Sequence, residues 1–270
     1  MVKLAAVLLS AVFAAPVLGG TREMTFADGY NGGSWVESVE QTISFSTKDD
    51  QEIAFYGGMP KYYNVSSYTN TCANVAGTTV LGYYDQYYDN LIENFTSTRV
   101  VFGLVIYNGQ TDAVQAVTNQ LYIDMGTNVT EGGTTINGFK NGMVTYVARK
   151  NRQLTYSQIV SGGAVLMDTC TSMIEDDIPA VVFVSKYSLV DTGDFEAETG
   201  TEDVFVQHYG GNHTLVVYGV RTIKYYSSTG TLVRQFDLLK VTTGYVDFPL
   251  AYLLLDDYTN VIDGFAVDIY

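Results

Sequence analysis

A chain of 270 residues with 47% hydrophobic content is long enough for one large domain, and with only 4 prolines and no low-complexity run it carries no linker that would divide it. A formal net charge of −15 and a pI near 4.3 exclude nucleic acid and anionic membranes as expected partners. The 22 tyrosines and 26 glycines point to a strand- and turn-rich body packed through aromatic rings.

The amino terminus reads as an export signal over residues 1–20. Lys3 gives a short positive start, Leu4 to Ala15 is apolar, and small residues follow through Gly20. That run is shorter than the ~20 apolar residues that span a bilayer. The mature protein is therefore expected to be secreted, with no membrane segment. Residues 21–270 are expected to form a single domain, in which 21–58 are either the first strands or an N-terminal extension or propeptide. Within them Val39, Ile43 and Phe45 alternate with polar residues, the period-2 pattern of a half-buried strand.

A helix is predicted from Cys72, capped by Asn70 and Thr71, with Ala73, Ala76, Val80, Tyr83 or Tyr84, and Tyr87 at three- and four-residue spacing. Gly77 and Gly82 each cost roughly 1 kcal/mol against alanine inside a helix, so close packing against a neighbour is expected there. A strand follows over Arg99–Tyr107. A second helix runs from Asp112 to Gly126, a third from about Asn137 to Arg149, and a fourth over Ser157–Glu175, broken at Gly162-Gly163 and carrying Cys170. A buried strand covers Ala180–Ser185. Asp191 to Asp203 reads as a solvated acidic loop whose oxygen spacing matches no calcium loop, and no metal or cofactor is expected. Strands are predicted over Thr214–Val220, Ile223–Ser227, Leu232–Val241 and Phe265–Tyr270. Helices first and antiparallel strands second give an α+β fold class.

Cys72 at a helix amino terminus sits where unpaired N–H groups lower a thiol pKa. The chain has 2 histidines, His208 and His213. His213 follows Gly210-Gly211-Asn212 and precedes a run of strand formers, which suits a ring with open access and a fixed base. Its competitor is a Cys72–Cys170 disulfide, which an oxidising compartment favours. Asn-x-Ser/Thr sequons at Asn64, Asn94, Asn128 and Asn212 are candidate glycan sites.

Two stretches carry a family resemblance: Ser67-Tyr68-Thr69-Asn70-Thr71-Cys72-Ala73-Asn74-Val75-Ala76-Gly77 with Leu81-Gly82-Tyr83-Tyr84-Asp85, and Gly211-Asn212-His213-Thr214-Leu215-Val216-Val217-Tyr218-Gly219. Together they resemble the papain-like cysteine peptidases, in the branch similar to bacteriocin-processing peptidases. Cys72 and His213 are 141 residues apart, inside the ~130–150 of papain-type enzymes. The resemblance implies a helical part carrying the nucleophile, packed on an antiparallel sheet carrying the histidine. It also implies cleavage of a peptide or protein substrate through a thioester, with Cys72 as nucleophile, His213 as general base and acid, and the Cys72 backbone N–H as an oxyanion donor.

The chain departs from that pattern at two places. The orienting Asp or Asn expected after the histidine is replaced by Tyr225-Tyr226-Ser227-Ser228, so Ser228 holds the third position, with Asp237 one strand further on as the alternative. The oxyanion glutamine is also missing; Ser66 stands in its place, with Asn70 nearby. Loss of such a group costs on the order of 10²–10⁴ in rate. The competing expectation is a weakened or inactive relative that serves as a secreted binding protein.

Overall fold

The computed structural model describes residues 34–129 and 132–270. In chain order these form β1 (Ser34–Phe45), β2 (Thr47–Ala54), α1 (Cys72–Tyr84), β3 (Thr98–Val101) and β4 (Leu104–Tyr107). There follow α2 (Asp112–Asp124), α3 (Ile136–Arg149), β5 (Leu154–Gln158), β6 (Val160–Ser161), β7 (Ala164–Val165) and α4 (Met167–Glu175). The chain closes with β8 (Ala180–Val190), β9 (Gly200–Tyr226), β10 (Leu232–Thr242), β11 (Leu250–Leu254) and β12 (Asn260–Ile269). The expected export signal and residues 21–33 lie outside the described residues.

The 27-residue strand β9 organises the sheet. Its first half pairs with β1 and β8, and its second half with β10 and β2, all antiparallel. Phe45 stands opposite Gly200 at the start of β9, and Thr47 opposite Tyr226 at its end. The continuous β1–β2 pair therefore draws the two ends of β9 together. β10 pairs with β11, β11 with β8, and β8 with the first half of β9, which closes these strands into a barrel. β12 and β5 extend the sheet outward from β8. Alternation along the strands sends Phe45, Val204, Val206, Ile223, Tyr225 and Phe236 into the barrel. Arg221 fixes the β2–β9 seam, donating to both carboxylate oxygens of Asp50 at 2.8 and 2.7 Å.

A second, larger core lies between the sheet and the helices. α1 is buried from Ala73 to Tyr84. A helix enclosed on all sides needs apolar and small residues all round rather than one stripe. That explains its two glycines: a Cβ at Gly77 would meet Met143 Sδ at 2.9 Å and Leu121 Cδ1 at 3.0 Å, and one at Gly82 would overlap the Tyr62 ring. α2 and α3 start at true side-chain caps, Thr111 accepting from Val114 N–H and Thr135 from Gly138 N–H.

The papain-like α+β arrangement expected from the sequence is not what the chain forms. The described residues are 43% strand against 21% helix, built on one large antiparallel sheet. The physical reason lies at both ends of the helical region. Residues 34–54, one reading of which was an extension, are two barrel strands preceding the helices, so helices are inserted between strands rather than segregated. The predicted acidic loop ends early, because Glu202, Val204 and Val206 point inward in alternation and begin β9. The two strands expected over Thr214–Ser227 are the far half of that one element. The expected fourth helix is half strand: Gly162 and Gly163, at φ +59° and +81°, turn β6 into β7, and α4 begins only at Met167.

Candidate functional site

Cys72 is the first residue of α1, and its thiol donates to Thr214 Oγ1 at 3.8 Å. Thr214 follows His213 on β9, so the start of α1 lies against the strand that carries His213. Thr71 occupies the N-cap without a side-chain cap bond, which leaves the first-turn N–H groups for other partners. Cys72 keeps part of its surface in solvent. Burial pushes its thiol pKa up, while the Thr214 hydroxyl and the backbone N–H groups of Ala73, Thr214 and Cys72 pull it down. The resting group is a thiol ringed by donors suited to an anion.

His213 is buried, with Nε2 2.8 Å from the Thr243 carbonyl oxygen. A carbonyl only accepts, so Nε2 carries a proton and donates it. The carbonyl is held in turn: Thr243 Oγ1 donates to Phe248 O at 2.5 Å and accepts from Tyr245 N–H at 3.0 Å. Between these, Gly244 adopts φ +74°, and a Cβ there would lie 3.3 Å from Val75 of α1. The loop that orients the histidine is thus seated on the helix that carries the cysteine.

Two tyrosine rings stack on the imidazole and a third packs against both. Tyr245 lies parallel to the imidazole at 4.9 Å between centroids and Tyr187 at 5.3 Å, and Tyr209 stacks on both tyrosines at 5.8 and 5.1 Å. Tyr187 and Tyr245 hydrogen-bond to each other through their hydroxyls. Burial first, with Cys72 adding to it, holds both phenols protonated.

The other sequence candidates go elsewhere. Ser228 is exposed in the turn between β9 and β10, at the far end of β9. Asp237 faces Thr222 on the neighbouring strand and accepts from its hydroxyl at 3.0 Å. Neither comes to the ring, because β9 runs on past Tyr225 instead of turning back. Ser66 donates to Asn64 Oδ1 at 2.8 Å in a local turn, and Asn70, at φ +58°, donates to Asn128 Oδ1 at 2.9 Å. Both are committed away from the thiol.

His208 belongs to a different cluster. Its Nδ1 lies 3.0 Å from Ser188 Oγ, which donates to Asp256 at 3.0 and 3.1 Å, and its ring packs on Tyr258. Ser188 is fully buried, so this group ties β8 and β9 to the turn before β12. Cys170 is a free thiol buried on α4, and with Cys72 also free the disulfide alternative is not formed. Among the described residues no group of three or more His, Cys, Asp or Glu side chains is placed to hold a metal ion.

Sequence reasoning missed the Thr243 carbonyl, Tyr187, Tyr245 and Thr214. A backbone acceptor has no residue signature; Thr242-Thr243-Gly244-Tyr245 signals only a turn after a strand. Compared with protein-family models, curated proteins and solved structures, the chain matches none of them.

Proposed function

We propose that this chain is an exported hydrolase of peptide bonds that works through the Cys72 thiol with His213 as its base. The observation that carries the reading is the Cys72 thiol at the start of a buried helix, with N–H and hydroxyl donors around its sulfur and its Thr214 partner next in the chain to His213. In this reading His213 Nδ1 takes the thiol proton as sulfur attacks the scissile carbonyl. The backbone N–H groups near the sulfur receive the charge that develops on the carbonyl oxygen. The imidazolium then protonates the departing amine, and water releases the acyl group from the thioester. Because burial raises the thiol pKa, proton transfer accompanies attack rather than preceding it.

Incubation with a degenerate peptide library, read by mass spectrometry, tests this. Cleavage is expected from the unaltered protein, none from Cys72→Ser, and about 10³-fold less from His213→Ala. Cleavage that persists in Cys72→Ser would remove the reading. A second reading, a binding protein descended from such an enzyme, draws support from the raised thiol pKa; its mark is selective labelling of Cys72 by an electrophile with no peptide cut.

A further inference from the structure

The β3–β4 hairpin stands outside the main sheet as a separate two-stranded ribbon. Val101 pairs with Leu104, so the loop is the two residues Phe102 and Gly103, with φ +50° and +81°. These are the left-handed values of a type I′ turn, which asparagine or aspartate followed by glycine adopts readily and a bulky aromatic does not. The sequence nevertheless places a fully exposed phenylalanine at the tip. Val100, at 72%, and Leu104, at 53%, are exposed beside it, and Val105 and Ile106 are exposed above one third. Consecutive residues on a strand point to opposite faces, so the ribbon is apolar on both sides. Tyr56, 90% exposed, sits on the adjoining turn, whose Gly57 lies against Tyr107 and Val105. The base is rigid: Asn108 N–H donates to Ser97 O at 2.7 Å, and Tyr107 OH accepts from Gln86 Nε2 at 2.6 Å.

We propose that this hairpin is an interfacial anchor that seats the protein on electrically neutral lipid surfaces. A contiguous exposed apolar projection marks an interaction site, and its shape and charge favour lipid over protein. A convex ribbon apolar on both faces offers a protein partner only one face at a time, whereas a fluid interface surrounds both. The chain segments that build it are also unlike the rest of the molecule in charge. Against a formal charge of −15, no Asp or Glu lies from Asn94 to Thr111 or from Ile53 to Tyr84, and the exposed cations of those stretches are Arg99 and Lys61. Arg99 complements the phosphate of a zwitterionic headgroup, while the acidic remainder is repelled by anionic lipid. The two strands have open edges, which cannot enter hydrocarbon without leaving backbone groups unpaired. The hairpin therefore reaches interfacial depth and no further, in keeping with the absence, among the described residues, of a helix long and apolar enough to cross a membrane.

Co-sedimentation of the full chain with phosphatidylcholine vesicles tests the proposal. The unaltered protein is expected to pellet with vesicles. Phe102→Asn should weaken partition at least about tenfold, as burial of a phenylalanine side chain implies. Asparagine suits the I′ turn, so this variant should melt no lower than the original, which separates lost binding from lost fold. The double variant Phe102→Ser, Leu104→Ser should abolish pelleting, and vesicles with added phosphatidylserine should bind less. Failure of the unaltered protein to pellet, undiminished pelleting of Phe102→Asn, or stronger binding to the anionic vesicles would each overturn it. So would a concentration-dependent dimer in lipid-free solution that Phe102→Asn abolishes, which would assign the hairpin to a second copy of the chain.

Discussion

His213 Nε2 lies 2.8 Å from the carbonyl oxygen of Thr243, 30 residues further along the chain. A backbone acceptor here does the orienting work for which the sequence offers no suitable side chain. It cannot titrate or change rotamer, and its position depends on the conformation of its own loop. The imidazole is thereby coupled to a turn that rests on the cysteine-bearing helix.

Gly244→Ala tests that coupling. The position has φ +74° and a would-be Cβ 3.3 Å from Val75, so alanine must both strain the backbone and press on α1. A stability loss of about 1–2 kcal/mol is expected, together with at least tenfold slower labelling of Cys72 by iodoacetamide, on the order seen when a catalytic base loses its positioning group. Gly230→Ala is the control. It has φ +77° with nothing near its missing Cβ, in the exposed β9–β10 turn, so it should cost similar stability and leave labelling unchanged. Equal labelling in both variants would show that the Thr243 carbonyl does not govern the site.

Tyr62→Phe should leave stability unchanged or raise it by about 1 kcal/mol in urea unfolding. The ring is buried against Gly82, and its hydroxyl has no hydrogen-bond partner among the described residues. Removing an unsatisfied buried donor relieves a desolvation cost while keeping the packing surface. Gly82→Ala should act in the opposite sense, because a methyl there overlaps the same ring. A loss of more than 1 kcal/mol in Tyr62→Phe would reveal a partner for that hydroxyl.

Stability should fall at alkaline pH in a way that Cys170→Ala partly removes. Burial pushes the Cys170 thiol from 9.0 up to about 12. In the unfolded chain the thiol ionises from about pH 9, while in the folded protein it stays protonated until about pH 12. The folded state is then the one holding the proton, so the contribution is complete below pH 9 and declines as pH rises, by about 1.4 kcal/mol per unit. The buried tyrosines act in the same direction at higher pH, so the informative quantity is the difference between the two proteins from pH 9 to 11. Parallel profiles would show that Cys170 is not the titrating group.

What the sequence disclosed, and what it concealed, divides along a physical line. The start of α1 was legible because small residues cluster before Cys72 and apolar residues recur at helical spacing; its two glycines were correctly read as close contacts. The start of α1 does lie against the strand that carries His213, through the Cys72–Thr214 contact. The barrel was not legible, because nothing in a local pattern says that one 27-residue strand will curl until Gly200 and Tyr226 are bridged by the same pair of strands. Arg99–Tyr107 read as a single strand because Phe102 is the last residue one expects in a left-handed turn. The acceptor on His213 Nε2 was not legible for a different reason, since it belongs to the main chain.

The tyrosine wall gives the sharpest separation of roles. Tyr245→Phe keeps the ring parallel to His213 and removes the hydroxyl shared with Tyr187, leaving a buried phenol short of a partner. That should cost about 1–3 kcal/mol of stability and change the labelling rate of Cys72 by less than about twofold, since the ring face against His213 is kept. Tyr245→Ala also removes the face against which the imidazole rests, so His213 gains freedom to leave the Thr243 carbonyl and labelling should slow by at least about tenfold. Thermal melting and labelling kinetics on the two variants decide between ring and hydroxyl. If Tyr245→Phe slows labelling as much as Tyr245→Ala, it is the phenol pair that holds the histidine in place.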